Sequence, residues 1–163
     1  NKFFNKTMKK IILILIFFIS SCGYQPIYVK KNGDILEFSA ISLLGDAEIN
    51  RKIINSLNIK ETNSSVLKKE LVLDSSFKID ETSKNSKGQV VSYRSTARVE
   101  LKILQNNELE TGKVIIRDFT YGNRDNKFDL VEYQNEIKNN LTNEIIEDIN
   151  LFINLKWLLN ILI

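Results

Sequence analysis

At 163 residues, with 43% hydrophobic and 26% charged side chains, the chain is long enough to bury one sizeable core without disulfide support. Its formal charge of +3 arises at the start, because residues 1–21 carry Lys2, Lys6, Lys9 and Lys10 and no acid, whereas residues 22–163 carry 19 basic and 20 acidic side chains. That balance excludes a global basic field for holding a nucleic acid, and the absence of histidine excludes Ser-His-Asp and Cys-His pairs, His acid–base catalysis and His-containing metal sites.

The first 21 residues have the three parts of a secretory leader in order: a basic flank, the apolar run of residues 11–19, and two serines before Cys22. Met8-Lys9-Lys10 marks the expected true start, with residues 1–7 an upstream extension. As a helix the nine-residue run reaches only about 14 Å, less than half of a ~30 Å hydrocarbon core, which excludes an ordinary transmembrane helix. Ile19-Ser20-Ser21-Cys22 resembles the bacterial lipobox, an aliphatic residue and two small ones before a cysteine. Such a cysteine takes a diacylglycerol on its thiol, and cleavage frees its amine for a further acyl chain. At about 0.8 kcal/mol per buried CH₂, two or three chains hold where one holds marginally. Cys22 is the only cysteine, so an internal disulfide is excluded, and the alternative is a free or buried thiol behind an ordinary signal. Gly23 occupies the position where aspartate favours inner-membrane retention in enterobacterial-type lipoproteins, which fits export to the outer membrane.

Residues 34–44, DILEFSAISLL, alternate imperfectly and predict a strand. Gly45 breaks it, and Asp46 offers a cap to a helix in which Ile49, Ile53 and Leu57 recur every four residues beside Ile54. After a polar connection over 60–66, alternation resumes through Leu71, Leu73, Ser75, Phe77 and Ile79. A turn is expected in residues 82–89, with Gly88 supplying a positive φ. The clearest period-two pattern follows, placing Val91, Tyr93, Ser95, Ala97, Val99, Leu101 and Ile103 on a dry face and Arg94, Arg98, Glu100 and Lys102 on a wet one. Asn106-Asn107 predicts a hairpin turn into a strand over about 113–121. From Phe128 a long helix is expected, its stripe formed by Leu130, Tyr133, Ile137, Leu141, Ile145, Ile149 and Phe152. From about residue 155 the sequence turns apolar, and thirteen residues from 151 to 163 are too few to span a bilayer. Helix packed on the core, a partner-facing patch, a frayed extension and attachment to a membrane surface all fit this stretch.

These elements predict an α+β fold, a two-layer α/β sandwich. A four-stranded, mainly antiparallel sheet carries two helices on one face, in the order strand-helix-strand-strand-strand-helix. One domain, residues 22–163, follows the leader 1–21. The six glycines form neither a dinucleotide fingerprint nor a P-loop, and no metal site or cofactor is expected. The carboxylates fall on helix faces and turns as solvated charge does. A carboxylate hydrolase therefore requires two acids facing each other across a cleft, and a non-enzymatic binding or assembly role is the expectation. Lys84, Lys87, Arg94, Arg98, Arg117, Arg124 and Lys127 gather around the hairpins and are candidates to steer an anionic head group.

Cys22-Gly23-Tyr24-Gln25-Pro26-Ile27-Tyr28 resembles the opening of the LPS-assembly lipoprotein LptE family, in its alphaproteobacterial form. The stretch GDAEINRKIINSLNIK is similar to that family's first helix. Gly88–Ile103, a turn, a strand, the aromatic-rich Phe119-Thr120-Tyr121-Gly122-Asn123 and a helix with Tyr133-Gln134-Asn135-Glu136 resemble the remainder, out to about Phe152. The resemblance implies a non-enzymatic protein, lipid-anchored at Cys22 in the outer membrane and facing the periplasm. In that role it plugs and helps assemble an LptD-like β-barrel and supports lipopolysaccharide transport to the outer leaflet. The family's basic turn before its long third strand matches Lys84-Asn85-Ser86-Lys87-Gly88, so the resemblance assigns lipopolysaccharide contact to Lys84 and Lys87. A second basic position before the last helix is occupied here by Val131-Glu132. A lipoprotein of the same shape that scaffolds another envelope complex is the alternative.

Overall fold

The computed structural model describes the backbone of residues 35–63 and 68–161, with side chains up to Leu155. The leader, Met8, Cys22 and the segment following it lie outside the described residues. The elements are β1 (Leu36–Phe38), β2 (Ala40–Gly45), α1 (Ala47–Ser56), β3 (Ile59–Glu61), β4 (Lys69–Lys84), β5 (Val90–Gln105), β6 (Glu108–Gly122) and α2 (Lys127–Ile161). The main sheet has the order β2-β4-β5-β6, with β2 parallel to β4 and the other pairs antiparallel. Both helices lie on one face of it, giving the predicted two-layer α+β sandwich.

Alternation predicts one strand over 34–44, and the structure divides it at Ser39. The Ser39 N–H and Oγ both donate to the Lys69 carbonyl, at 2.7 and 2.9 Å, which bends the chain. The bend inverts the phase of alternation, so that Phe38 faces inward before it and Ile41 packs on the core after it. The short β1 leaves the main sheet and pairs in parallel with β3, from Leu36↔Ile59 to Phe38↔Glu61. Phe38 and Ile59 are buried by this pairing.

At the β2–α1 junction Gly45 has φ +81°. Asp46 then caps α1, its Oδ1 accepting from the N–H groups of Glu48 (3.0 Å) and Ile49 (3.1 Å), which satisfies two of the helix's free donors. Asn58, at φ 50°, ends that helix in the left-handed region that asparagine tolerates. Asn106 and Asn107, at φ 54° and 66°, form the expected tight turn between β5 and β6.

The core lies between sheet and helices. Leu71, Leu73, Ala97, Val99, Leu101 and Ile115 face Ile49 and Ile53 of α1 and the α2 stripe of Ile137, Leu141, Ile145, Ile149 and Ile153. Ile79, expected on this face, is 39% exposed, because the hairpin of β4 and β5 runs beyond the cover the helices provide. The strand expected over about 113–121 starts earlier, at Glu108, and ends at Gly122, so Phe119–Gly122 of the aromatic-rich stretch belong to β6.

Candidate functional site

Among the described residues nothing covers the sheet face away from the helices, and its side chains compensate one another. Lys78 pairs with Asp80 (2.6 Å), Arg94 approaches Asp118 (3.7 Å) and donates to Thr120 Oγ1 (3.2 Å). On β5, Glu100 receives both Lys102 (2.6 Å) and Arg98 (2.8 Å). These two hydrogen bonds, Lys102 foremost, hold the Glu100 carboxyl below the usual range. Opposite signs in neighbouring rows leave a surface rich in donors and acceptors on which most charge is paired. Toward the free edge it gains Val114 and Ile116, both about half exposed. Among the described residues nothing pairs with the outer side of β6.

The turn between β4 and β5 forms the tip of the longest hairpin. Asn85 organises it: its Oδ1 accepts from the Lys87 N–H (2.9 Å) and the Gln89 N–H (3.0 Å), while its carbonyl accepts from Gly88. Gly88 takes φ +78°, the conformation expected of it. The Lys84 ammonium meets Glu81 at 3.0 Å, and Lys87 projects from the exposed turn. The structure thus places both lysines at one tip, on a hydrogen-bonded turn open to solvent.

The wider basic cluster does not assemble there. Arg117 sits on the helix side of β6 and bonds to Asp148 of α2, with Glu144 3.8 Å from its Nε. Arg98 is committed to Glu100, and Arg124 stacks over the Tyr133 ring, 4.0 Å from its centre. That arginine closes an aromatic cluster in which Tyr121 stacks on Tyr93 and Phe119 and meets Tyr133 edge-on. Ser95, fully buried, shares a hydrogen bond of 3.1 Å with the Tyr121 hydroxyl, so the polar ends of both are satisfied.

A second constellation escapes sequence reading. Lys138 of α2, its side chain 17% exposed, reaches Asp46 at 2.9 Å and Glu48 at 2.7 Å at the start of α1, with the Phe77 ring 5.6 Å away. Burial pushes the Asp46 carboxyl up, but the Lys138 hydrogen bond and the N–H groups of Ile49 and Glu48 outweigh it, so the carboxyl lies below its ordinary value. Burial likewise pushes Lys138 down, and its hydrogen bonds to Glu48 and Asp46 hold it above the ordinary value. The only trace of this in sequence is Asp46 as a cap, because its partner lies in the other helix.

A shallow depression of about 550 Å³ runs along α2 between Phe128 and Asn139. Its acids, Glu132 and Glu136, lie one turn apart on the same helix and do not face each other across a cleft. Among the described residues no group of three or more His, Cys, Asp or Glu is placed to hold a metal ion.

No protein-family model matches the chain, and no curated sequence matches it. Its fold does match solved structures. The rare lipoprotein B of Shewanella oneidensis superposes with a TM-score of 0.50 at 16% identity, covering 75% of this chain and 96% of that one. The lipoprotein B of Nitrosomonas europaea superposes with a TM-score of 0.50 at 11% identity, covering 77% and 88%. At these identities the likeness is one of fold.

Proposed function

We propose that this chain is an LptE-type outer-membrane lipoprotein: anchored through acylated Cys22 and facing the periplasm, it plugs and assists assembly of an LptD-like β-barrel and supports lipopolysaccharide passage. The observation that carries the reading is the uncovered, charge-compensated sheet face. A closed barrel offers a polar lumen and no free strand edges, so its plug needs a mixed hydrogen-bonding surface without a strong field. The rows built on Arg94–Asp118 and Arg98–Glu100–Lys102 meet that requirement. The fold shared with two bacterial lipoproteins and the lipobox-like Ile19–Cys22 support the same reading. Confinement by the anchor to the membrane that holds the barrel raises the effective concentration of the partner.

Crosslinking the acylated protein in outer membranes and identifying what co-purifies tests the barrel assignment. Capture of a large outer-membrane β-barrel is expected, and capture of a different envelope complex establishes the scaffolding alternative instead. Anchoring is tested separately. Cys22→Ser is expected to abolish palmitate incorporation and leave an uncleaved, membrane-bound precursor, and label retained by this variant refutes the anchor.

The tip lysines are the proposed lipopolysaccharide contacts. Replacing Lys84 and Lys87 together by glutamate reverses the charge of the tip while leaving the Asn85-built turn intact. Lipopolysaccharide affinity is expected to fall roughly tenfold at low salt and by less at high salt, with barrel capture unchanged. Equal affinity of variant and wild type at low salt removes the tip from the binding site.

A further inference from the structure

Three segments distant in sequence bring exposed apolar side chains to the same end of the fold, opposite the lysine tip. Ile35, 45% exposed, stands where the described chain begins, Leu109, 62% exposed, follows the β5–β6 turn, and Leu151 and Leu155, each more than half exposed, lie toward the end of α2. Hydrogen bonds tie the first two segments to the start of β4: Ser39 N–H to the Lys69 carbonyl, and Asn106 N–H to the Lys68 carbonyl. On the helix side the Lys113 ammonium lies 5.5 Å from the centre of the Phe152 ring. Ile153 is the last described residue of α2 buried in the core, yet the helix runs on to Ile161 through LKWLLNI, which carries a single charge.

We infer that this end of the domain rests on the surface of a lipid bilayer, with Leu109, Leu155 and the end of α2 at the level of the head groups. Among the described residues no helix is long and apolar enough to cross a membrane. The stretch after Leu155 spans only about 10 Å as a helix, which suits lying in an interface. Choosing a membrane over a protein partner rests on the reading of Cys22 as a lipid anchor. Twelve residues lie between Cys22 and Ile35, and the thirteen steps from one to the other, at ~3.4 Å each, reach no more than about 45 Å. An acylated Cys22 therefore keeps this end, rather than the tip, near the leaflet. The sixteen residues of β4 carry the tip about 50 Å further. That length exceeds the ~25 Å apolar band of an outer-membrane barrel, so a plug inserted tip first leaves its lower half at the mouth, beside the lipid.

Trp157, the only tryptophan, is a native reporter. Two further reporters in a Trp157→Phe background carry Leu109→Trp at this end or Phe128→Trp at the other, where Phe128 is 86% exposed. The full-length protein is bound to phosphatidylethanolamine–phosphatidylglycerol vesicles whose acyl chains are brominated close to the head group. Fluorescence of Trp157 and of the reporter at 109 is expected to fall by roughly twofold, with the reporter at 128 unaffected. Vesicle-bound protein with neither 109 nor 157 quenched overturns the inference, as does quenching at 128 instead. Blue-shifted Trp157 emission without vesicles, varying with protein concentration, also overturns it by showing a second copy on this surface. The mass of the Cys22 peptide reports acylation independently, so a bare thiol undoes the anchor while the quenching still judges the surface.

Discussion

Gly45→Ala is expected to destabilise the protein by about 4 kcal/mol or more, a large part of the ~5–15 kcal/mol that holds a domain together. Two separable effects combine. A side chain in the left-handed region costs about 1–2 kcal/mol, and Gly45 has φ +81°. The added Cβ would also sit 1.9 Å from the Ser75 carbonyl oxygen and 2.9 Å from its carbon, a clash with backbone that no rotamer change relieves. Moving that carbonyl breaks the bond it accepts from the Asp46 N–H (2.9 Å) and disturbs the one the Ser75 hydroxyl donates to the Asp46 carbonyl (3.0 Å). Each of these contributes about 1 kcal/mol, and together they seat the α1 cap on β4. Gly88→Ala is the control. It has nearly the same φ, +78°, with nothing within 4 Å of the added carbon, so it is expected to cost only about 1–2 kcal/mol. Urea unfolding of the two variants measures the difference as a shift in midpoint at unchanged slope. Equal losses at both positions would show that the Ser75 contact is not what fixes this glycine.

Lys138→Met is expected to cost about 2–3 kcal/mol at neutral pH, because it leaves the largely buried Asp46 carboxylate without its cation. Glu48 is mostly exposed and contributes little to that figure. The loss has a defined pH dependence. Asp46 has a lowered value in the folded protein, so its contribution is fully present above its ordinary value of 3.8 and disappears as pH falls through the folded value. Lys138 has a raised value, so its contribution is fully present below 10.5 and disappears as pH rises through the folded value. The stability difference between wild type and variant should therefore form a plateau between about pH 4 and pH 10 and shrink at both ends. Urea midpoints at pH 3 and pH 7 test this, and an unchanged difference at pH 3 would show that Lys138 acts by packing on Phe77 rather than by charge. A double-mutant cycle with Asp46→Asn should give a coupling of about 1–2 kcal/mol.

The elements legible in sequence are those whose signal is local. The β5 alternation from Tyr93 to Ile103, the stripe on α2 and the Asp46 cap each depend on neighbours within a few residues, and the structure follows them closely. The strand over 34–44 was only half legible. Its phase inverts at Ser39 because that residue bonds to Lys69, thirty positions away. The candidate site divides in the same manner. The tip lysines lie where turn chemistry puts them, whereas Arg117, which reads as surface charge, is drawn against Asp148 by the packing of α2 on β6.

By itself the sequence determined the order of basic flank, apolar run and small residues ahead of its single cysteine, the near neutrality of all that follows, the absence of histidine chemistry, and the alternation of strand and helix. Those are properties of composition and of spacing within a turn or a strand pair. Tertiary structure alone decided which charges are spent on each other, that Lys138 clamps a helix start 90 residues away, and that Ile35, Leu109 and Leu155 share one end opposite the lysine tip. The physical reason is that pairing energies depend on distance in space and on burial, and neither exists until the long hairpin and the two helices have closed over the core.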